Sequence, residues 1–310
     1  MSTRERTNGQ AKLVFASIVF PDRSSETNGL LLAESIRAFA GTLSQAPVWF
    51  YVPQNGKQLS TIVKKKLSTL NVTLIPFDVD EEVLRFPFTG HSIAAALAES
   101  MASDQASFIA WLSPNTIVLQ EPRDFLLQDN KTLGFKPVHH TLLGSRYDEP
   151  LDSFWTLIYR YCNVPEDRVV PMMTHVEGEK IRPYINSGLL VTRPEKRLLR
   201  AWRDAFLKAH QEPAFREFYQ QDERYAIFIH QAILSGVILS MLTTDEMQEL
   251  PQTYNYPLHL HIEDITGTRP SGLEELVTVR HEGFYKDPDW SKKMPAGEPI
   301  KQWIAERLLE

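Results

Sequence analysis

The sequence predicts an α/β protein: an open, mostly parallel sheet flanked by helices, with a more irregular C-terminal half. Two observations carry this. Apolar runs alternate with stretches of helical periodicity over residues 12–112, joined by short connections, as in right-handed βαβ units. The apolar runs also lack the in-out alternation of a half-exposed strand, which suits strands buried on both faces.

Residues 12–20 are apolar almost throughout and read as the first strand. Leu32, Ile36, Phe39 and Leu43 then mark one face of a helix over 28–43. A second strand spans 47–52 and is closed by Pro53. A helix over 57–70 follows, with Lys64, Lys65 and Lys66 as its wet face, then a strand over 72–77. Ile93, Leu97 and Met101 recur four apart in a third helix over 92–101, before a fourth strand over 107–112. In the second half, 132–138 and 184–191 read as strands. Residues 195–209 form an amphipathic helix with Leu198, Trp202, Phe206 and Ala209 on one face. The apolar stretch 230–239 reads as a short helix or buried turn opened by His230. Residues 250–257 read as an ordered loop, 276–281 as a last strand, 286–298 as a loop and the chain from Pro299 as a terminal helix. Residues 1–11 read as a disordered tail, and no repeat or linker divides the rest, so 12–310 is expected to be one domain.

Composition narrows the function. A net charge of −6 over 310 residues gives no basic footprint for nucleic acid. The single cysteine, Cys162, excludes an internal disulfide and cysteine-rich zinc sites, and it reads as a buried, inert thiol. No run reaches the roughly 18 uninterrupted apolar residues of a membrane span, and the polar N-terminus is no signal peptide. Cytoplasmic residence is the expectation. There is no Gly-rich phosphate loop, no Gly-x-Ser-x-Gly elbow and no His-Glu-x-x-His helix.

Several short motifs occur in a telling order. The run from Ala16 through Phe20 and Asp22 leads into Gly29–Arg37; Phe108–Pro122 holds a strand, the turn Ser113-Pro114-Asn115 and Gln120-Glu121-Pro122. Tyr184-Ile185-Asn186-Ser187-Gly188 opens a further strand, His230-Gln231 follows, and His281, Gly283, Lys286, Pro288 and Trp290 close the series. Together these resemble GT-A glycosyltransferases, the nucleotide-diphospho-sugar transferase superfamily, in its glycogenin-like and galactosyltransferase-like branch. The resemblance covers residues 12–290 and implies a GT-A-like (Rossmann-like) fold, with a nucleotide-binding half over 12–122 and an acceptor half over 123–310. It aligns Ser113-Pro114-Asn115 with the Asp-x-Asp motif, Asn186-Ser187-Gly188 with Asn-x-Gly, His230-Gln231 with Asp-Gln, and the segment from His281, with altered spacing, with His-x-x-Gly-x-x-Lys-Pro-Trp.

In that family two carboxylates hold a divalent cation on the donor diphosphate, where negative charge grows as the sugar leaves. Here the matching positions are Ser113 and Asn115, the acid of Asp-Gln is His230, and of the cation ligands only His281 remains. One imidazole and two neutral oxygens make a poor site for a hard cation. No metal and no cofactor is therefore expected, although the family implies a divalent cation. Arginines and lysines are the alternative partners for phosphate, with Lys286, Arg182 and Arg23 as candidates. His230 is a candidate proton carrier. His259, His261 and His281 would form a three-imidazole metal site only if residues 258–262 were extended. Tyr254, Tyr256 and Trp290 either stack on sugars or anchor loops.

The resemblance implies a glycosyltransferase that binds a nucleotide-diphospho-sugar and transfers a hexosyl group to an unknown acceptor without an Asp-x-Asp metal. Its catalytic residues would be His230, Gln231 and Asn186. Phe20, Asp22, Ser113, Asn115, His281, Gly283 and Lys286 would bind the donor. The alternative is a catalytically inactive GT-A-fold pseudoenzyme acting as a binding or assembly scaffold, favoured by the lost acids. The sequence leaves a homo-oligomer open.

Overall fold

The computed structural model describes residues 11–308, residue 55 excepted. The disordered tail expected over 1–11 lies outside the described residues, except that Ala11 already belongs to the first strand. In chain order the elements are β1 (Ala11–Ile18), α1 (Arg23–Phe39), β2 (Val48–Gln54), α2 (Thr61–Thr69), β3 (Val72–Asp78), α3 (Glu81–Arg85), α4 (Thr89–Ala102), β4 (Ala106–Leu112) and β5 (Thr116–Val118). The second half continues with β6 (Leu133–Pro137), α5 (Ser153–Cys162), β7 (Met172–Met173), β8 (Lys180–Ile181), β9 (Ile185–Thr192), α6 (Leu198–Ala209), α7 (Pro213–Gln221) and α8 (Glu223–Met241). It closes with β10 (Met247–Glu249), β11 (Tyr256–Pro257), β12 (Thr278–Arg280), α9 (Trp290–Lys293) and α10 (Glu298–Leu308).

Seven strands form one sheet in the order β10-β6-β9-β4-β1-β2-β3. Every neighbouring pair is parallel except those made by β9, which runs antiparallel to β4 and β6. The mostly parallel sheet is thus as the sequence predicts, and strands from both halves of the chain build it. Alternate residues of β1 explain its continuous hydrophobicity. Val14 and Ala16 join the core beneath α4, α5, α6 and α8, while Leu13 and Phe15 join the core beneath α1 and α2. A third cluster, with Ile117, Tyr256, Tyr285, Trp290 and Ile304, ties the C-terminal segment to β5.

A small second sheet, β11-β12-β5, matters most for the site. Its antiparallel register sets Arg280 against Thr116. The His281 N–H continues that contact, donating to the Asn115 carbonyl at 3.1 Å. Residues 280–282 are thereby held beside the turn that ends β4, although some 165 positions separate them in sequence.

The structure corrects several boundaries. His230 does not open a helix: it lies in the middle of α8, nineteen residues long and buried from Ile229 to Leu239. Alone among the described residues, α8 is long and apolar enough to cross a bilayer, but it packs against β9, α5, α6 and α7 as a core helix. Residues 258–262 are not extended. They lie in a 3₁₀ helix, Leu258–Glu263, where His261 Nδ1 meets the Tyr256 hydroxyl at 3.0 Å, so the three-imidazole arrangement does not form. Helices α5 and α7 were not expected. Both are amphipathic, but each is short and aromatic-rich, with weak intrinsic helix propensity. Tyr254, Tyr256 and Trp290 are buried as loop anchors.

Candidate active site

A cavity of about 290 Å³ opens where β4 and β6 end and the antiparallel β9 begins. Open α/β sheets place their ligands at this end. One wall is the start of β9. Asn186 is buried, and its side-chain oxygen accepts the Gly188 N–H at 2.8 Å. The amide nitrogen is then the group it can offer a ligand. Ser187 donates its backbone N–H to Gln231 Oε1 at 2.9 Å, and its hydroxyl meets His230 Nε2 at 2.9 Å. At the end of β4, the Ser113 N–H donates to the Gly188 carbonyl at 2.8 Å, which locks that turn to the same wall.

His230 rises from α8 beneath this wall. Its Nδ1 lies 2.7 Å from the Ile227 carbonyl, so Nδ1 carries the hydrogen and Nε2 accepts from Ser187. The Phe88 ring stacks on the imidazole at 3.9 Å with an interplanar angle of 14°. Burial pushes the His230 pKa down to about 3. An imidazole held neutral this firmly does not suit a proton carrier near neutral pH. Phe88 itself has φ +64, a left-handed backbone that a bulky residue adopts only under strain, and it sits as the N-cap of α4.

The opposite wall comes from β12 and the turn after it. Arg280 and Glu282 line the cavity and are ion-paired to each other, with Arg280 side-chain exposure of 15% and Glu282 of 38%. A Cβ built on Gly188 would lie 2.0 Å from Arg280 Nη1. Glycine there is what lets the guanidinium lie on the β9 backbone. Among the described residues Glu282 is the one carboxylate in the lining. Burial raises its carboxyl, but the Arg280 charge and bonds from Asn115 and Arg280 leave it below the ordinary value. His91, His139, His140 and His259 complete the rim. Burial depresses His91, His139 and His259, and the Arg280 charge depresses them further.

Of the residues named from sequence, Ser113, Asn186, His230 and Gln231 meet on the cavity walls. Asn115 and His281 stand beside the cavity, joined to each other through backbone, and Asn115 also bonds Glu282. Phe20 reaches the site through the His91 ring, 5.5 Å away. Asp22 is exposed and does not line the cavity: its carboxylate caps α1 by accepting the Ser25 N–H at 3.0 Å. Gly283 (φ +78) starts the one-turn 3₁₀ helix Phe284–Lys286, which draws Tyr285 into the core and leaves Lys286 exposed, away from the lining. Arg23 is exposed on the surface, and Arg182 is spent on Ser145 and the carbonyls of Arg146 and Glu149. Burial pushes the Cys162 thiol up to about 12, the value of an inert sulfur. Sequence reasoning missed Arg280, Glu282, Ser187, Phe88 and His91. The one available signal was that Arg280 and Glu282 flank His281 and that Ser187 is the middle residue of Asn-x-Gly.

The side chains at the end of β4 do not fit a hard divalent cation. Ser113 and Asn115 are neutral. His281 Nδ1 accepts the Gly283 N–H at 3.2 Å, so Nε2 carries the ring hydrogen and is a donor rather than a ligand. The Arg280 charge, close enough to depress His281, opposes a cation further. Among the described residues no group of three or more His, Cys, Asp or Glu is gathered to hold a metal ion.

Comparison with known proteins places this geometry. The sequence model of the Rhodobacterales glycosyltransferase domain matches residues 16–241. Among solved structures, the chain is similar to the apo WbbM bifunctional glycosyltransferase, with 15% identity and a TM-score of 0.54 over 99% of this chain and 53% of that one. The chain therefore spans about half the length of WbbM. It is also similar to an active-site mutant of LgtC, with 13% identity and a TM-score of 0.50 over 95% of each chain. At these identities the likeness concerns the fold. No curated protein matches by sequence.

Proposed function

The chain belongs to the Rhodobacterales glycosyltransferase domain family, and from that premise we propose that it transfers a sugar from a nucleotide-diphospho-sugar without a metal held by Asp-x-Asp. Its α/β fold is that of GT-A glycosyltransferases. The observation that carries the metal-free reading is the lining of the cavity: a guanidinium and a single carboxylate stand where a carboxylate-held cation would otherwise be expected. In the proposed reaction the bond between the anomeric carbon and the diphosphate breaks, and the diphosphate leaves with the electron pair. The acceptor oxygen bonds to that carbon. Its proton passes to the leaving phosphate, because His230 is too weak a base. Asn186 and Gln231 orient the sugar and the wall that holds it. Residues 12–122 would bind the nucleotide, and 123–310 would complete the acceptor side.

Thermal melting with UDP, GDP, CMP and their sugar conjugates, each with and without EDTA, tests the reading. A melting-point rise that survives EDTA is expected, since a ligand of the folded state stabilises it by mass action. Absence of any rise would overturn the reading. With the cognate conjugate in hand, Asn186→Ala should slow nucleotide release roughly 100-fold, the cost of a sugar no longer held in position. The lost acids also favour a binding scaffold. A protein that binds the conjugate but never releases nucleoside diphosphate, with any acceptor or with water, would be that scaffold.

A further inference from the structure

We propose that Arg280 and Glu282 form a displaceable clamp for a diphosphate: the guanidinium takes the phosphate oxygens after Glu282 has been pushed off it. The inference rests on the donor reading above and names the residue that would take the cation's part.

Four observations lead there. Arg280 is largely buried, yet its Nε–H has no hydrogen-bond partner. A buried donor left unmade is costly, and such a group marks a site awaiting an acceptor. The next residue repeats the pattern. His281 Nε2 is buried without a partner and, by the tautomer that Gly283 imposes, is also a donor. Arg280 thus presents to the cavity an unpaired N–H, which a phosphate oxygen satisfies and a metal ion does not, while His281 holds its own beside the lining rather than in it. Next, Gly188 leaves open the space the guanidinium occupies, so its Nη1 end fits against β9 at the cavity wall. Last, the partner that Arg280 has now is easily moved. Glu282 is more than a third exposed and sits at φ +42 ahead of Gly283 at φ +78, so that water reaches the carboxylate side of the pair and weakens it, with the Asn115 bond as its other tie. A diphosphate carries more charge than one carboxylate and matches the planar fork of the guanidinium.

The clamp predicts opposite effects for its two halves. Inorganic pyrophosphate and UDP are titrated calorimetrically in EDTA into the whole chain and into Arg280→Gln, Glu282→Gln and Gly188→Ala. Arg280→Gln should weaken both ligands roughly 30-fold, the worth of a charged hydrogen-bonded contact. Glu282→Gln should tighten both about 5-fold, because a competing like charge is gone. Gly188→Ala should weaken both roughly 10-fold, since the methyl displaces the end of the guanidinium and also crowds the buried Asn186 Oδ1. A purely structural ion pair would not give tighter binding when Glu282 is neutralised. Unchanged or weaker binding by Glu282→Gln, or full affinity in Arg280→Gln, overturns the clamp while leaving the donor reading intact. Loss of UDP but not pyrophosphate in Arg280→Gln overturns the diphosphate assignment. A wild-type protein that binds neither ligand overturns both readings together.

Discussion

Glu99→Ala should cost roughly 3–5 kcal/mol of folding stability, the usual loss when one partner of a buried ion pair is removed. Glu99 lies on α4 and its side chain is fully buried. One carboxylate oxygen accepts the Leu199 N–H at 3.0 Å; the other accepts the Arg200 N–H and Nε, each at 3.0 Å. Those backbone groups belong to the first turn of α6. That helix has no cap of its own: its N-cap residue, Arg197, sits at φ +60 with no side-chain bond. The carboxylate from α4 supplies the cap that the local sequence lacks, and it meets the positive end of the helix dipole. Burial pushes the Glu99 pKa up, against the opposing pull of its donors, so this is an expensive group held by good geometry. Alanine would leave two buried N–H groups and the Arg200 charge without it. Glu99→Gln keeps one acceptor oxygen and should recover part of the loss. Urea unfolding at constant slope measures both. A loss below about 1 kcal/mol for alanine would mean that water replaces the cap, and the argument would fail. The pair also bears on the site, because Phe88 is the N-cap of α4 and α6 carries Trp202, whose indole N–H donates to the His230 carbonyl at 2.9 Å.

The same contrast between local and distant partners explains what the sequence revealed. The β1–β4 half was legible because each strand is buried on both faces and each helix shows an apolar stripe, signals that live within a dozen residues. Asn186 and Gln231 were legible for a related reason: a polar side chain in an apolar run must find a partner, and each lies on the cavity wall. Arg280 was not legible. Its meaning depends on Gly188, on the wall of β9, and on the register of β12 against β5. Asp22 was misread for the opposite reason. The resemblance set Asp22 at the donor, but an acid between a strand and a helix is also a favoured N-cap, and that is the role its carboxylate has here. His230 looked like a helix start because the unbroken apolar run begins there, whereas tertiary packing extends α8 back to Glu223.

The buried histidines set the acid limit of the fold. His175 and His230 are both held neutral, each with its pKa pushed down to about 3 by burial. An unfolded chain binds their protons near pH 6.5, while the folded chain refuses them until about pH 3. Stability from these groups is therefore fully present above pH 6.5 and falls as the pH drops below it. At pH 5 each histidine should cost about 2 kcal/mol, and the two together about 4, a large share of a typical domain's stability. The surroundings support the direction. His175 Nε2 lies 3.1 Å from the Gln252 carbonyl, so Nδ1 is bare, buried and without any acceptor for a second hydrogen. Lys136 repels an added charge there, and Asp264 only partly offsets it. Around His230 stand His91, which also repels, the Phe88 ring and the Ser187 hydroxyl. Glu177, Glu246 and Asp222, whose carboxyls are pulled below their ordinary values, lose their contribution only below about pH 4.5, so the two windows separate. Urea midpoints at pH 7.5, 6 and 5 should fall steeply over the lower step, and His175→Gln should remove its own share of the loss, about 2 kcal/mol at pH 5. A flat profile between pH 6.5 and 5 would mean that these imidazoles gain protons without unfolding, and their surroundings would then be far wetter than their burial indicates.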